Sequence, residues 1–486
     1  MAEAGKGRRP VVFLGVPMAI NVRDVLRTDV LPLVREAGVD VHLFTAAATE
    51  SSFIEEFGGE GVTLHALRWP RGRVFRWIDA AVLKLYVLVL SLRCETAHIM
   101  VQGTLRRNPL ARLARALLHW TGRRGQAAVV RRGRDLVLQR APDLYGDLFE
   151  AHRPDLVIGT RVLTMSAQTG PEASAYLDRY LVMSAARRGV PSMVLVSSWD
   201  NLTSKGFFPA DVARLTVWNS IMHDEAVQLH DIAPERITVT GAPQHDVYAG
   251  APYRARERFF RELGLDPAKR LVLYTTQTAG TIPAEPELVE RIHERLQGTF
   301  PDLQLLVRLH QLDRPERYAF LHGRPGLVFD AAGRAALGTY RDRDFDHSEL
   351  RRLADSLVHA DVVLNAASSI SIDAAAVGTP VVAIAFDADE GVPYDRSVRR
   401  YFDFTHQQNV VRSGGVAMAD SLEAMVEAVA AYLDDPSRDR EGRARLVERL
   451  CYRLDGGSGR RVAEAILAEL GLSLVERSPE LAGRSA

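Results

Sequence analysis

Short apolar, β-branched runs alternate along this chain with longer segments whose apolar residues recur every three or four positions. The runs have strand length and the longer segments have helical period, a pattern that predicts parallel sheets with helices packed on both faces. In the first half, strands are predicted at Val11–Val16, Val39–Phe44, Leu156–Gly159, Ser192–Val196, Leu215–Trp218 and Ile237–Thr240. A helix ending near Glu36 is stopped by Gly38, a helix over Glu172–Arg188 is stopped by Gly189, and a third covers Ser220–His230. Glycine is an effective stop because it takes the left-handed conformation that ends a helix at little cost. The second half repeats the alternation: helix Arg254–Leu263, strands Leu271–Thr275, Leu303–Leu309 and Leu327–Phe329, then helix Ser348–His359. Strands Val362–Leu364, Val381–Phe386 and Asn409–Val411 follow, with helices from Ser421 and Asp439 and a last one over Gly459–Leu470. Two such halves imply two doubly wound, Rossmann-like domains facing across a cleft, the first over residues 1–255 and the second over 256–455. Residues 456–486 are expected to form a terminal helix and a frayed tail.

Composition narrows the class. The chain has 486 residues, 47% of them apolar and 25% charged, as in a soluble protein of more than one domain. Cys94 and Cys451 are far apart, without metal-ligand spacing or a disulfide framework, which favours a reducing cytoplasm. The apolar run Val11–Val16 reads as a strand, not a signal peptide, and Ala80–Leu92, which contains Lys84, is too short to span a bilayer.

The balance of 61 basic and 61 acidic residues hides an asymmetry. Between Arg68 and Arg140 stand sixteen Lys or Arg against Asp79, Glu95 and Asp135, interleaved with Trp69, Phe75, Trp77, Leu117 and Trp120. This predicts a basic helical insert in the first domain, about 68–140. Its pattern suits an anionic membrane surface or a phosphate-bearing, lipid-linked acceptor, and equally a solvated basic face. No nucleic-acid motif accompanies it. The expected location is the cytoplasm, peripheral at the inner face of the membrane.

Candidate chemistry falls just after predicted strands, where ligands bind in such sheets. Thr275, Thr276 and Gln277 end one strand, Arg308 and His310 another, and Asn365 to Ser369 a third. Ser368 and Ser369 stand where a helix begins, so hydroxyls and free N–H groups suit a phosphate, or else merely cap the helix. The loop Asp455-Gly456-Gly457-Ser458-Gly459 offers further bare N–H groups. One guanidinium, one imidazole and several hydroxyls fit a pyrophosphate better than a neutral sugar. In the first domain, Ser197 to Gly206 leaves a buried strand crowded with polar groups. There Asp200 is placed to take a proton from an acceptor hydroxyl, with Asn201 and Lys205 orienting it; an Asx-turn is the plainer reading of Asp200 and Asn201. Asn21 and Arg23, in the turn after the first strand, complete the acceptor side. His223, Asp224 and Glu225 read as a solvated helix face. No segment of the sequence resembles a zinc-site, Ser/His/Asp-triad or dinucleotide-binding motif.

Four segments carry a resemblance. Thr238–Tyr248 is similar to the strand and turn that close the first domain of GT-B glycosyltransferases. Val307–Gln311 resembles the Arg-x-His-Pro element of the CDP-glycerol glycerophosphotransferases, with Gln311 in place of the proline. Ala360–Val382 resembles their aspartate, double-serine and aspartate segment, and Leu454–Ile466 their Asp-Gly-x-x-Ser ending. Surface-carbohydrate biosynthesis proteins and the non-hydrolysing UDP-N-acetylglucosamine 2-epimerases are relatives of the same group. The resemblance implies a GT-B-like fold and a nucleotide-diphosphate donor held by the second domain through Thr275, Thr276, Gln277, Arg308, Asn365, Ser368, Ser369 and Asp373. It implies His310 as a catalytic residue. Where those enzymes carry a histidine base in a Trp-His-Gly-Thr-Pro-Leu-Lys run, Trp199 and Lys205 match the ends, Asp200 replaces the histidine and Asn201 the glycine. Asp200 is therefore the implied base. The expected activity is transfer of a sugar or polyol-phosphate unit to a cell-envelope polymer or glycolipid, with no metal or cofactor. The rivals are a nucleotide-sugar epimerase and a non-catalytic basic binding protein.

Overall fold

The computed structural model describes residues 8–164, 177–250, 253–331 and 346–474. Thirteen strands among them form two sheets whose ladders are all parallel. The first contains β1 (Val11–Gly15), β2 (Asp40–Thr45), β3 (Val62–Ala66), β4 (Leu156–Gly159), β5 (Ser192–Leu195), β6 (Arg214–Val217) and β7 (Ile237–Val239), in the order β3-β2-β1-β4-β5-β6-β7. The second contains β8 (Arg270–Thr275), β9 (Leu303–Leu309), β10 (Leu327–Ala331), β11 (Val362–Asn365), β12 (Val381–Ile384) and β13 (Ala417–Ala419), in the order β10-β9-β8-β11-β12-β13. In each sheet the earliest strand lies inside and the order reverses beside it, between β1 and β4 and between β8 and β11. Connections leave in opposite directions at such a point, so a crevice opens at the carboxyl ends of the strands.

The strands are apolar throughout because helices cover both faces. Every residue of β1, β4, β9 and β12 is buried. Burying a Leu, Ile or Val contributes about 1.5–3 kcal/mol, which sets the registry firmly. The edge strand β3 is only partly buried, with exposed Thr63 and Ala66, and its short mixed run escaped the hydrophobic pattern.

Some expectations are corrected. Asn409–Val411 is the end of a helix, Thr405–Val411, not a strand, and the last strand is β13. The β-branched pair there misled; His406, Gln407 and Val410 bury one helical face, and that packing overrides local propensity. Of the helix expected over Glu172–Arg188, the described part runs Arg179–Arg187, and 172–176 lie outside the described residues. Glu225 is buried rather than solvated. The last helix, Ser458–Glu469, packs Val462, Ala463, Ile466 and Leu467 into the core under the first sheet.

Between β3 and β4 stand five helices, Arg73–Leu90, Glu95–Arg107, Pro109–Trp120, Gly122–Arg140 and the short Gly146–His152. The first anchors them through buried Phe75, Leu83 and Tyr86, and a buried pair joins Asp79 to Arg179 at 2.7 Å. The third buries little besides Leu118 and leaves Leu110, Leu113, Leu117 and Trp120 exposed along one edge. No described helix is long and apolar enough to cross a membrane.

Candidate active site

A cleft of about 570 Å³ opens where the carboxyl ends of the two sheets meet. The first domain lines it with Arg23, Arg161, Ser197 to Asp200, Lys205, His245 and Tyr248; the second supplies the β8 and β9 ends, Ala367 to Ile370, Asp373, His406 and Gln407. Of the residues singled out in the sequence, Arg23, Asp200, Lys205, Thr275, Thr276, Gln277, Arg308, His310, Ser368, Ser369 and Asp373 share this cleft. Asn21, Asn201 and Asn365 are not among its lining residues. Asn21 is fully buried, Asn201 reaches back to the Ser197 hydroxyl at 3.4 Å, and the Asn365 carboxamide oxygen accepts from Ser371 Oγ at 3.2 Å.

The second-domain wall is braced from behind. Thr276 Oγ1 accepts the backbone N–H of His310 at 2.8 Å, tying the end of β8 to the end of β9. His310 Nδ1 accepts the N–H of Leu312 at 3.0 Å, so the neutral ring carries its proton on Nε2 as a donor. Burial lowers the His310 pKa, with Asp313 opposing, which favours the neutral ring. Arg308 is buried and bonded to Asp330, its register partner on β10, and to Glu349 at 3.2 Å. Its guanidinium therefore reaches the cleft already compensated by two carboxylates. Gln277 is held by Glu285 through its N–H and donates its side-chain amide to the Ala366 carbonyl at 2.7 Å.

Behind Ser368, Ala367 has φ of 46°, the left-handed region that a non-glycine residue enters only at a cost of about 1–2 kcal/mol. The strain turns the chain so that Ser368 and Ser369 face the cleft. Ser368 Oγ accepts the N–H of Ile370 at 3.3 Å, while Ser369 makes no capping bond and stays exposed. The Asp455–Gly459 loop is different from expectation: the N–H groups of Ser458 and Gly459 point at the Asp246 carboxylate, at 3.1 and 2.8 Å. That helix start already holds an anion.

Across the cleft, Asp200 is gripped on both oxygens. Ser198 Oγ donates to one at 2.5 Å, Ser204 Oγ to the other at 2.9 Å, and Lys205 Nζ lies 3.5 Å away. Burial alone would raise its pKa, but Lys205, His406 and the two hydroxyls outweigh it and hold the carboxyl well below the usual range. Asp200 is thus ionised at neutral pH, and weakly basic for that reason.

A second cluster crosses the domain boundary. Asp373, in the helix Ile370–Ala376, lies 3.5 Å from His245 Nε2 and accepts a hydrogen bond from Tyr248, with Arg23 nearby. Burial pushes Asp373 up to about 6, against the pull of Tyr248 and Arg23, while burial and Arg23 lower His245 to about 4. A buried carboxyl facing a neutral imidazole is a poor phosphate ligand but a good proton relay. His245, Tyr248, Arg161 and His406 are cleft residues that sequence reasoning passed over. His406 opens the helix Thr405–Val411, whose end was expected as a strand; it stacks edge-on against Trp199 at 5.0 Å and bonds Thr203 at 3.0 Å. The Gln244-His245-Asp246-Val247-Tyr248 turn was noticed for its fold and not for its side chains.

Two parallel-sheet domains, with polar groups gathered at the strand ends of a shared cleft, define a GT-B-type protein. Residues 210–468, slightly more than half the chain, match the family described as CDP-Glycerol:Poly(glycerophosphate) glycerophosphotransferase, and the chain belongs to that family. It is accordingly a transferase that draws on a nucleotide-activated donor. Among solved structures, MnaA of S. aureus, determined with UDP, is 12% identical with a TM-score of 0.52, over 97% of this chain and 99% of that one. A structure described as a UDP-N-acetylglucosamine 2-epimerase from Listeria monocytogenes is also 12% identical, with a TM-score of 0.52 over 96% of this chain and 97% of that one. At that identity the likeness concerns the fold. No protein of curated function matches the sequence.

Proposed function

We propose that the protein transfers a polyol-phosphate or sugar unit from a nucleotide-diphosphate donor to a hydroxyl of a cell-envelope polymer or glycolipid. The observation that carries this reading is the shared cleft, which sets Asp200 and Lys205 on one wall against Thr276, His310, Ser368 and Ser369 on the other. The second domain holds the donor: hydroxyls of Ser368 and Ser369 and Nε2–H of His310 donate to its phosphate oxygens, and the charge growing on the departing nucleotide falls on them. The acceptor hydroxyl sits against Asp200. Because that carboxylate is a weak base, it orients the hydroxyl first and takes its proton late, as the new bond forms. Arg308 acts mainly by fixing the floor of the donor wall, since its charge is already met by Asp330 and Glu349. No metal is needed in this scheme, so a chelator should leave the rate unchanged.

The exposed Leu110, Leu113, Leu117 and Trp120 edge, beside exposed Arg106, Arg107, Arg112, Arg123 and Arg124, brings the enzyme to an anionic bilayer in this reading. The acceptor would be met there. The test is incubation with a panel of CDP- and UDP-linked polyols and sugars, with and without lipid-linked acceptor, following nucleotide release. Release that requires acceptor supports transfer; conversion of a nucleotide sugar without acceptor would mark an epimerase instead.

A further inference from the structure

Away from the cleft, three imidazoles converge at the outer edge of the first sheet. His42 lies on β2, His65 on edge strand β3, and His152 ends the helix Gly146–His152 that leads into β4. One ring nitrogen from each comes within 4.8 Å of the other two. His42 Nδ1 and His65 Nε2 already share a hydrogen bond of 2.8 Å, and their ring planes are nearly parallel, with centroids 5.1 Å apart. The His152 ring centroid lies 4.3 Å from that of His42.

We propose that His42, His65 and His152 bind a divalent transition-metal ion, Zn²⁺ by the chemistry of the donors, and that the ion staples the root of the basic insert. A tetrahedral ion with metal–nitrogen bonds of about 2.0–2.1 Å spaces its ligand nitrogens by about 3.4 Å, so the side chains need move only about 1 Å. Imidazole donors select zinc, copper or nickel over magnesium and calcium. The hydrogen bond between His42 Nδ1 and His65 Nε2 needs one of the two rings as acceptor, so a nitrogen lone pair already points into the site. On binding, the shared proton leaves the bridging position, and each ring carries its remaining proton on the outward nitrogen. Rings of Phe13, Phe44 and Phe149 wall the site on the sheet side, centroids 5.2 Å from His42, 4.9 Å from His65 and, for Phe149, 5.1 Å from Phe13. His42 is buried, whereas His65 and His152 are half-exposed, which leaves a path for the ion and a place for a water as fourth ligand. Charges nearby come in pairs: Arg68 with Asp147 at 2.6 and 2.8 Å, and Arg8, which donates to the His152 carbonyl at 3.2 Å, with Asp155 at 2.8 Å.

The placement gives the ion a task. His65 stands just before the insert and His152 just after it, so one ion would tie the chain's departure to its return. The same seam is already stitched by Arg68 to Asp147 and by the Arg68 N–H to Tyr145 Oη at 2.7 Å. The inference is independent of the reading of the cleft, because none of the three histidines lines it.

The test is titration of the tag-free, chelator-treated full chain with Zn²⁺ by calorimetry, and with Co²⁺ by visible absorption, alongside His65→Gln and His152→Gln. The half-exposed positions of both residues spare the core, and circular dichroism verifies folding. The wild type should take up one equivalent, show the intense visible bands of four-coordinate cobalt, and resist proteolysis within the insert better with zinc than without. Each variant should bind about 100-fold more weakly or worse. Wild-type protein that takes up no zinc, or variants that bind as tightly as the wild type, would overturn the site and leave the three rings as an aromatic stack.

Discussion

The two walls of the cleft are built from the same sheet plan and are held in opposite ways. On the second domain, the polar groups at the ends of β8 and β9 are braced by others behind them: Thr276 under His310, Asp330 and Glu349 under Arg308, Glu285 under Gln277. On the first domain, the hydrogen bonds to the Asp200 carboxylate come from its own short loop, Ser198 and Ser204 with Lys205 beside them, and His406 of the facing domain acts on it through charge. A wall braced across three strands suits a ligand of fixed shape, such as a nucleotide diphosphate. A carboxylate held mainly by its own loop can be replaced without disturbing the strand ends, which suits a separate, acceptor-side role. The departure from the family pattern falls there, at Asp200 and Asn201.

Substitutions can break that contrast. In the proposed scheme Asp200 meets the acceptor and not the donor, so Asp200→Asn should lower kcat by about 10²–10⁴-fold while donor affinity is unchanged. His310→Ala should lower kcat by about 10²–10³-fold and weaken donor binding as well. Steady-state kinetics with calorimetry separate the two; equal effects on donor affinity would erase the division of labour. Arg308→Ala leaves Glu349 without its guanidinium and Asp330 with Arg352 alone, and should lower stability in chemical denaturation by about 1–3 kcal/mol, more than Asp200→Asn does.

Leu117→Ser/Trp120→Ser should reduce binding to anionic vesicles by roughly tenfold or more without altering the fold, since both side chains are exposed. Nucleotide release during transfer to a short soluble acceptor should be unaffected. The smallest effect concerns pH. Burial, with Asp200 and Asp224 adding to it, pushes Glu225 up to about 8. The folded state therefore holds a proton that the unfolded state has lost, so this residue's contribution falls as pH rises from the ordinary carboxylate range toward 8. Glu225→Gln should raise Tm by several degrees at pH 8.5 and by much less at pH 5.

The sheet plan was readable because buried parallel strands are apolar without interruption, as at Leu303–Leu309 and Val362–Asn365. Edge strand β3 was not, since Thr63 and His65 face partial solvent and break the run. The cleft was legible wherever a polar cluster follows a strand directly, as at Thr275–Gln277 and Arg308–His310. It was illegible where residues are delivered by turns or by packing between domains. His245, Tyr248 and His406 gain their meaning from the facing domain, and nothing local marks that distance. The pairing of Arg308 with Asp330 was likewise hidden, although both are register partners on neighbouring strands. Asp246 had to be seen in space before the glycine-rich loop could be recognised as an occupied anion site.

The central claim is that the second-domain wall grips a nucleotide diphosphate. Titration calorimetry of CDP and UDP against the wild type, His310→Ala and Ser368→Ala/Ser369→Ala tests it most directly. One-site binding by the wild type, at least tenfold weaker in both variants and unchanged in Asp200→Asn, is the predicted result. Absence of binding, or affinity indifferent to His310 and the two serines, would contradict the account.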